Sequence, residues 1–322
     1  MPGRTNRFPK IQRISCFGLT LLTLLAAPKL LIAQDPVKDP KVACAPENLD
    51  ESAAVGRFVF KSYGEKNGGE TCLQVFREGK VIFRRTNDNG GWYKIGQPAN
   101  KPDHVPVIEN GTDITGRGRS DMIVSFSTGG AHCCLMHYVF ELQPDFKLLA
   151  TLNAQDTWPA YFADLDRDHH YYYLAEDWAF AYWWESFAGS PFHSVVLRYV
   201  DDSNGGAFHL AIDKMQTPAP SPKEWQKALR IVRQELRLEQ ENMANNLPNV
   251  LWQEVIDLIY TGHSDLAWKF LDEVGPRAQQ SPFPDLATFC LTLKTSSYWP
   301  DLAPTLKNTP PACANAHPHH PN

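Results

Sequence analysis

The hydrophobic pattern of this chain changes period once, at the proline stretch "TPAPSP" (217–222), and that change divides what its two parts can fold into. From 55 to 213 the apolar residues come in short runs split by turn chemistry: "CLQVFREGKVIFRR", "YVFELQPDFKLLATL" and "VVLRYVDDSNGGAFHLAI". Glu78-Gly79, Pro144-Asp145 and Asn204-Gly205-Gly206 stand at the turns, so each run reads as a β-hairpin. After the prolines the spacing is helical. Ser221-Pro222-Lys223-Glu224 fits a capping box with proline at the first helical position, and Trp225, Leu229, Val232 and Leu236 follow on one face. Further helices are expected over 249–260, from Ser264 through Ala267, Phe270, Leu271 and Val274, and over 285–295. The expected class is α+β: a β-rich N-terminal part followed by a small all-α module of helix hairpins, packed through its Trp and Leu stripe. The expected boundaries are a β-rich domain at 55–214, a linker at 215–220, the helical module at 221–306 and a disordered tail at 307–322.

The first 33 residues have the anatomy of a secretory signal: Arg4, Arg7, Lys10 and Arg13 lead, no acid is present, and apolar stretches run over 19–27 and 30–33. Residues 34–54, proline-rich and aperiodic, read as a linker. Removal of the signal leaves 26 Lys plus Arg against 36 Asp plus Glu, a net charge of about −10. That balance points away from nucleic acid, and no later stretch is apolar enough to span a membrane. The expected location is periplasmic or secreted. There the six remaining cysteines, Cys44, Cys72, Cys133, Cys134, Cys290 and Cys313, are disulfide candidates.

Two segments, "NGTDITGRGRSDMIVSF" and "YFADLDRDHHYYYLAED", lie 51 residues apart measured from Asp113 to Asp164. Both resemble the aspartate loop of FG-GAP and VCBS-type repeats, in which Asp-x-Asp/Asn-Gly-Asp-Gly-x-x-Asp/Glu leads into an apolar strand. The resemblance covers 105–213, with the hairpin at 71–85 as a third, loopless unit, and implies an incomplete propeller or a small β-sandwich of antiparallel hairpins. It also implies Ca²⁺ in the loops. The second copy offers Asp164, Asp166 and Asp168, with Arg167 and His169 in place of the glycines and Tyr172 in place of the closing acid. The weaker first copy offers Asp113, Thr115 and Asp121, with Arg117 at the fifth position, where its guanidinium could itself neutralise the carboxylates. Pairing of the second copy with Lys or Arg, or simple solvation, is the alternative to Ca²⁺ there.

The stretch "EDWAFAYWWESFAG" (176–189) is the densest aromatic cluster. Buried, it is core or a domain interface. Exposed, its rings suit a sugar, and Glu176, Asp177 or Glu185 could serve a glycan-acting hydrolase. Together with "GGAHCC" it is similar to an uncharacterised family of exported bacterial proteins, a likeness that implies no activity. No phosphate-binding glycine loop, Gly-x-Ser-x-Gly, His-Glu-x-x-His or Cys-x-x-Cys is present. The leading expectation is therefore a non-catalytic exported binding or structural protein whose partner is an extracellular glycan or protein, with the hydrolase as alternative.

A thiol or metal site at 132–137 is the third reading. In a strand, His132 and Cys134 share one face and Cys133 and His137 the other, so one metal cannot collect all four. The preferred disulfide set is Cys44–Cys72, Cys290–Cys313 and a vicinal Cys133–Cys134 bridge, although spacing alone does not fix connectivity.

Overall fold

The structure is a computed structural model that describes residues 44–64, 69–97, 101–130, 133–157, 159–184, 186–201, 205–242, 249–275 and 285–315. The expected signal and most of the expected linker lie outside them. The twelve strands among these residues form three four-stranded antiparallel sheets, each a meander in chain order. The first comprises β1 (Leu49–Val55), β2 (Phe58–Gly64), β3 (Thr71–Arg77) and β4 (Lys80–Asn87). The second comprises β5 (Trp92–Ile95), β6 (Asp121–Gly130), β7 (Cys133–Glu141) and β8 (Lys147–Gln155). The third comprises β9 (Tyr161–Ala163), β10 (Tyr172–Asp177), β11 (His193–Val200) and β12 (Ala207–Leu210). All three expected hairpins form, as β3–β4, β7–β8 and β11–β12. None of the sheets closes into a barrel.

The second sheet explains why "DMIVSF" has no polar alternation: both its faces are covered. Met122, Val124, Phe126 and Phe140 belong to one core with Phe60 and Val75 of the first sheet. Ile123, Leu135, Val139 and Leu152 belong to another with Phe162 and Tyr173 of the third. The second core continues through β11 and β12 into the helices α1 (Pro222–Asn242), α2 (Asn249–Tyr260), α3 (Ser264–Val274) and α4 (Leu286–Leu293). These helices begin where the sequence places them. Glu224 accepts from the Ser221 amide (2.8 Å) and hydroxyl (2.6 Å), closing the capping box, and Asp285 caps α4 by accepting from the Thr288 amide at 2.8 Å.

The helices dock on the third sheet through the aromatic stretch. Phe289 stacks on Trp252 (4.6 Å between centroids) and on Phe180 (5.1 Å), and Trp183 meets Trp252 edge-on at 5.6 Å. Asp177, at the end of β10 and 3% exposed, accepts from the hydroxyls of Tyr260 on α2 and Ser296 after α4 and from the Ala179 amide. Two peripheral links reinforce the seam: His193 with Asp257 and His209 with Asp301, each at 2.8 Å.

Cys44–Cys72 and Cys290–Cys313 are bonded as the preferred set expects. Cys134 is also disulfide-bonded. The Cys133 side chain and His132 lie outside the described residues, and with them the vicinal bridge. Two boundaries differ from expectation. β1 begins at Leu49, inside the expected linker, because its alternate side chains close the first sheet. The expected tail keeps a one-turn helix, Pro311–Ala314, held by the Cys290–Cys313 bond and by Lys294 donating to the Cys313 carbonyl at 2.8 Å.

Candidate functional site

The two aspartate loops have the same backbone. Asp113 accepts from the amides of Arg117 (3.1 Å) and Gly118 (2.6 Å), four and five residues on, and Asp164 does the same with Asp168 (3.1 Å) and His169 (2.9 Å). The third and fifth residues after each aspartate are left-handed: Gly116 (φ 72°) and Gly118 (70°) in the first loop, Arg167 (59°) and His169 (65°) in the second. Non-glycine residues holding this conformation at the positions where the repeat pattern has glycine keep a geometry that their own preferences oppose. Each loop leads into the second strand of its meander. The loops also touch: a Cβ on Gly116 would lie 2.7 Å from the His170 ring, so only glycine lets the first loop lie against the second.

The side chains diverge. In the first loop the Arg117 guanidinium turns away from Asp113 and Asp121 and pairs instead with Glu141 (2.8 Å) and Asp201 (3.2 Å), over the Tyr199 ring. Arg119 and Lys147 complete the charge balance of the buried Glu141. Asp121 accepts from the Ile114 and Thr115 amides and the Thr115 hydroxyl on one oxygen only. In the second loop each carboxylate has a protein donor. Asp166 takes the Lys214 ammonium at 2.5 Å and the Tyr172 hydroxyl at 2.8 Å, and Asp168 takes the His170 amide and ring. The Lys214 hydrogen bond, then that of Tyr172, holds the Asp166 carboxyl below its ordinary range. A Ca²⁺ ion bound to this loop would have to displace Lys214 from Asp166. Among the described residues no group of three or more His, Cys, Asp or Glu is disposed to hold a metal.

Buried polar groups lie on the covered middle sheet, in two cross-strand pairs: Asp121 opposite Glu141, and Ser125 opposite His137. His137 has Nδ1 at 2.7 Å from the Tyr173 hydroxyl, while its Nε2, the Ser125 hydroxyl and the second Asp121 oxygen have no partner among the described residues. Burial lowers the His137 pKa to about 3 and, acting first on Asp121, raises that carboxyl to about 6.

The aromatic stretch separates into an inner and an outer part. Its acids are engaged: Asp177 by the donors above, and Glu176 by the Trp178 indole at 3.1 Å. Glu185 lies outside the described residues. Trp178 stacks on Phe187 and Phe192, and Trp183 packs on the helices. Tyr182 (57% exposed) and Trp184 (56%) remain on the surface, both left-handed, with φ of 57° and 60°. Sequence reasoning singled out the aromatic cluster but not Lys214, His209, Tyr260 or Ser296, whose partners are 48 to 119 residues away. No family model, curated protein or solved structure matches the chain.

Two outcomes are expected. Thermal melts of the wild type in EDTA and in excess Ca²⁺ coincide within about 1 °C, whereas Lys214→Met, by freeing Asp166, uncovers a Ca²⁺-dependent rise. For pH, the neutral buried His137 contributes stability that is complete above its unfolded pKa near 6.5 and is lost as pH falls toward 3. Asp121 opposes this between pH 6 and 3.8, because its folded carboxyl takes up the proton first. Urea titrations between pH 7 and 4 therefore show a shallower loss in His137→Gln, by up to about 1 kcal/mol per pH unit, and a steeper one in Asp121→Asn.

Proposed function

We propose that this chain is an exported, non-catalytic carbohydrate-binding protein that presents the loop around Tyr182 and Trp184 to its ligand. The observation that carries the reading is a pair of half-exposed aromatic side chains on left-handed backbone, above a platform in which the other rings of the stretch are packed. Strain of order 1–3 kcal/mol per residue persists where surrounding structure enforces it, and it concentrates at binding and catalytic positions. The Ser190 hydroxyl accepting from the Tyr182 amide at 2.7 Å is one such enforcement. A flat ring with a polar edge stacks on the C–H face of a pyranose, and two such rings give a short chain of sugars two places to rest.

A hydrolase is less well supported. Glycoside hydrolysis needs two carboxyls facing one cleft, and Asp177 points inward to Tyr260 and Ser296. The disulfides and the absence, among the described residues, of a helix able to span a membrane agree with export. The paired loops serve as rigid elbows between strands, with Lys214 as the cation of the second.

The test is glycan binding followed by isothermal calorimetry and Trp fluorescence. Neutral β-linked oligosaccharides are expected to bind and to blue-shift the emission, and Trp184→Ala is expected to cost at least about tenfold in affinity with an unchanged melting temperature. Wild-type affinity retained in Trp184→Ala, or release of reducing ends on prolonged incubation, would overturn the reading.

A further inference from the structure

We infer that the first sheet is a docking surface for an acidic polysaccharide; the inference rests on the carbohydrate-binding reading and adds the charge class of the ligand. The net negative charge of the chain hides a local reversal. Between Arg57 and Lys94 the sequence carries eight Lys or Arg against four Asp or Glu. Elsewhere in the described structure Arg117, Arg119, Lys147, Arg198 and Lys214 are used in internal ion pairs, whereas Lys223, Lys227, Arg230, Arg233 and Arg237 lie along one helix, α1, without one among the described residues. Glu51 of β1 pairs with Lys94 of the second sheet, while Arg57, Lys61, Arg77, Lys80 and Arg84 form no ion pair among the described residues.

Register places these groups. Lys61, Gln74 and Arg84 are cross-strand neighbours in one row, on the face turned away from Phe60, Val75 and Phe83. Lys61 and Arg84 are two strands apart, roughly 10 Å. The Lys61 ammonium lies 5.1 Å over the Phe76 ring, so aromatic surface sits beside the charge. At the end of the sheet, where the β1–β2 and β3–β4 turns meet, stand Arg57, Arg77 and Lys80. That end borders a groove of about 450 Å³ lined by Arg57, Phe58, Ser120, Leu142 and Gln143.

Lys on an edge strand also guards against aggregation, and β4 is an edge. That role covers Lys80 and Arg84. It does not cover Lys61, which lies on an inner strand, or Arg57, which lies in a turn. The cations are spread in two dimensions and do not converge on one point, which suits a chain of repeated charges better than a single phosphate. An anionic bilayer would need a cluster of large apolar side chains standing beyond the cations, and on this face the half-exposed Leu49 (47%) and Val81 (43%) stand on opposite edge strands, β1 and β4.

The experiment measures binding of the purified protein to sodium polygalacturonate, to neutral dextran and to phosphatidylglycerol vesicles, at about 20 and about 150 mM NaCl. Expected is binding to polygalacturonate that weakens with salt, persists in Trp184→Ala and falls at least about tenfold in both Lys61→Gln/Arg84→Gln and Arg57→Gln/Lys80→Gln, with melting temperatures near wild type. Neutral-oligosaccharide binding is unchanged in these variants, which separates failure of this inference from failure of the Trp184 reading. No binding to polygalacturonate at low salt, binding indifferent to both double variants, or tighter binding to the vesicles overturns it.

Discussion

The inner strands of the middle sheet, β6 and β7, are covered on both faces along most of their length, and much else in the molecule follows from that constraint. A strand with two dry faces has no solvent side on which to place a polar residue, so a polar group on it either meets a partner inside the protein or is left without one, as the His137 Nε2, the Ser125 hydroxyl and one Asp121 oxygen are among the described residues. Asp121 finds its partners in the backbone of the loop that precedes it, and Glu141 finds three cations. His137 finds Tyr173. The first aspartate loop is thus as much a cap for a buried carboxylate as a turn between strands, and Arg117 serves Glu141 and not its own loop.

The same logic applies one layer further out. The third sheet presents its remaining face to α2 and α4, and the seam has Asp177 as its buried carboxylate, with His193–Asp257 and His209–Asp301 at its periphery. A buried carboxylate with two hydroxyl donors and an amide fixes the register of sheet and helices more sharply than stacking rings alone, since a lost partner leaves a dry charge unmet. The inner aromatics and Asp177 are consumed by this docking, while Tyr182 and Trp184 stay more than half exposed at its margin. The first sheet stands at the other end of the layer order, its Arg57, Lys61 and Arg85 lying over the rings of Phe58, Phe76 and Tyr138.

The hairpins and helices were legible because each is decided locally. Alternation of apolar residues, Glu78-Gly79 at a turn and a Ser-x-x-Glu box are all contained within a few residues. The kinship of the two loops was legible from the spacing of their aspartates, although Arg167 and His169 obscure it, and the common left-handed backbone at those positions is what the structure adds. Partners of the charged groups were not legible. Arg117 seemed destined for Asp113 and Asp121, but a long guanidinium reaches whichever carboxylate is least solvated, here Glu141, and the register that brings Glu141 within reach is a tertiary fact. Lys214 with Asp166 and Asp177 with Ser296 are long-range for the same reason. Two short elements, β1 and the helix Pro311–Ala314, fall in stretches whose composition reads as linker and tail, because pairing with β2 and the Cys290–Cys313 bond are long-range facts that composition does not reveal.

If the doubly covered sheet and the Asp177 seam make one cooperative body of sheets and helices, native-state hydrogen exchange resolved by residue tests it most directly. The account predicts that the slowest amides of β6, β7 and β10 and those of α2 and α4 share one opening free energy and one denaturant dependence, equal to those of global unfolding. Helices that exchange through a separate opening of lower free energy and smaller denaturant dependence, while β6 and β7 remain protected, would contradict it.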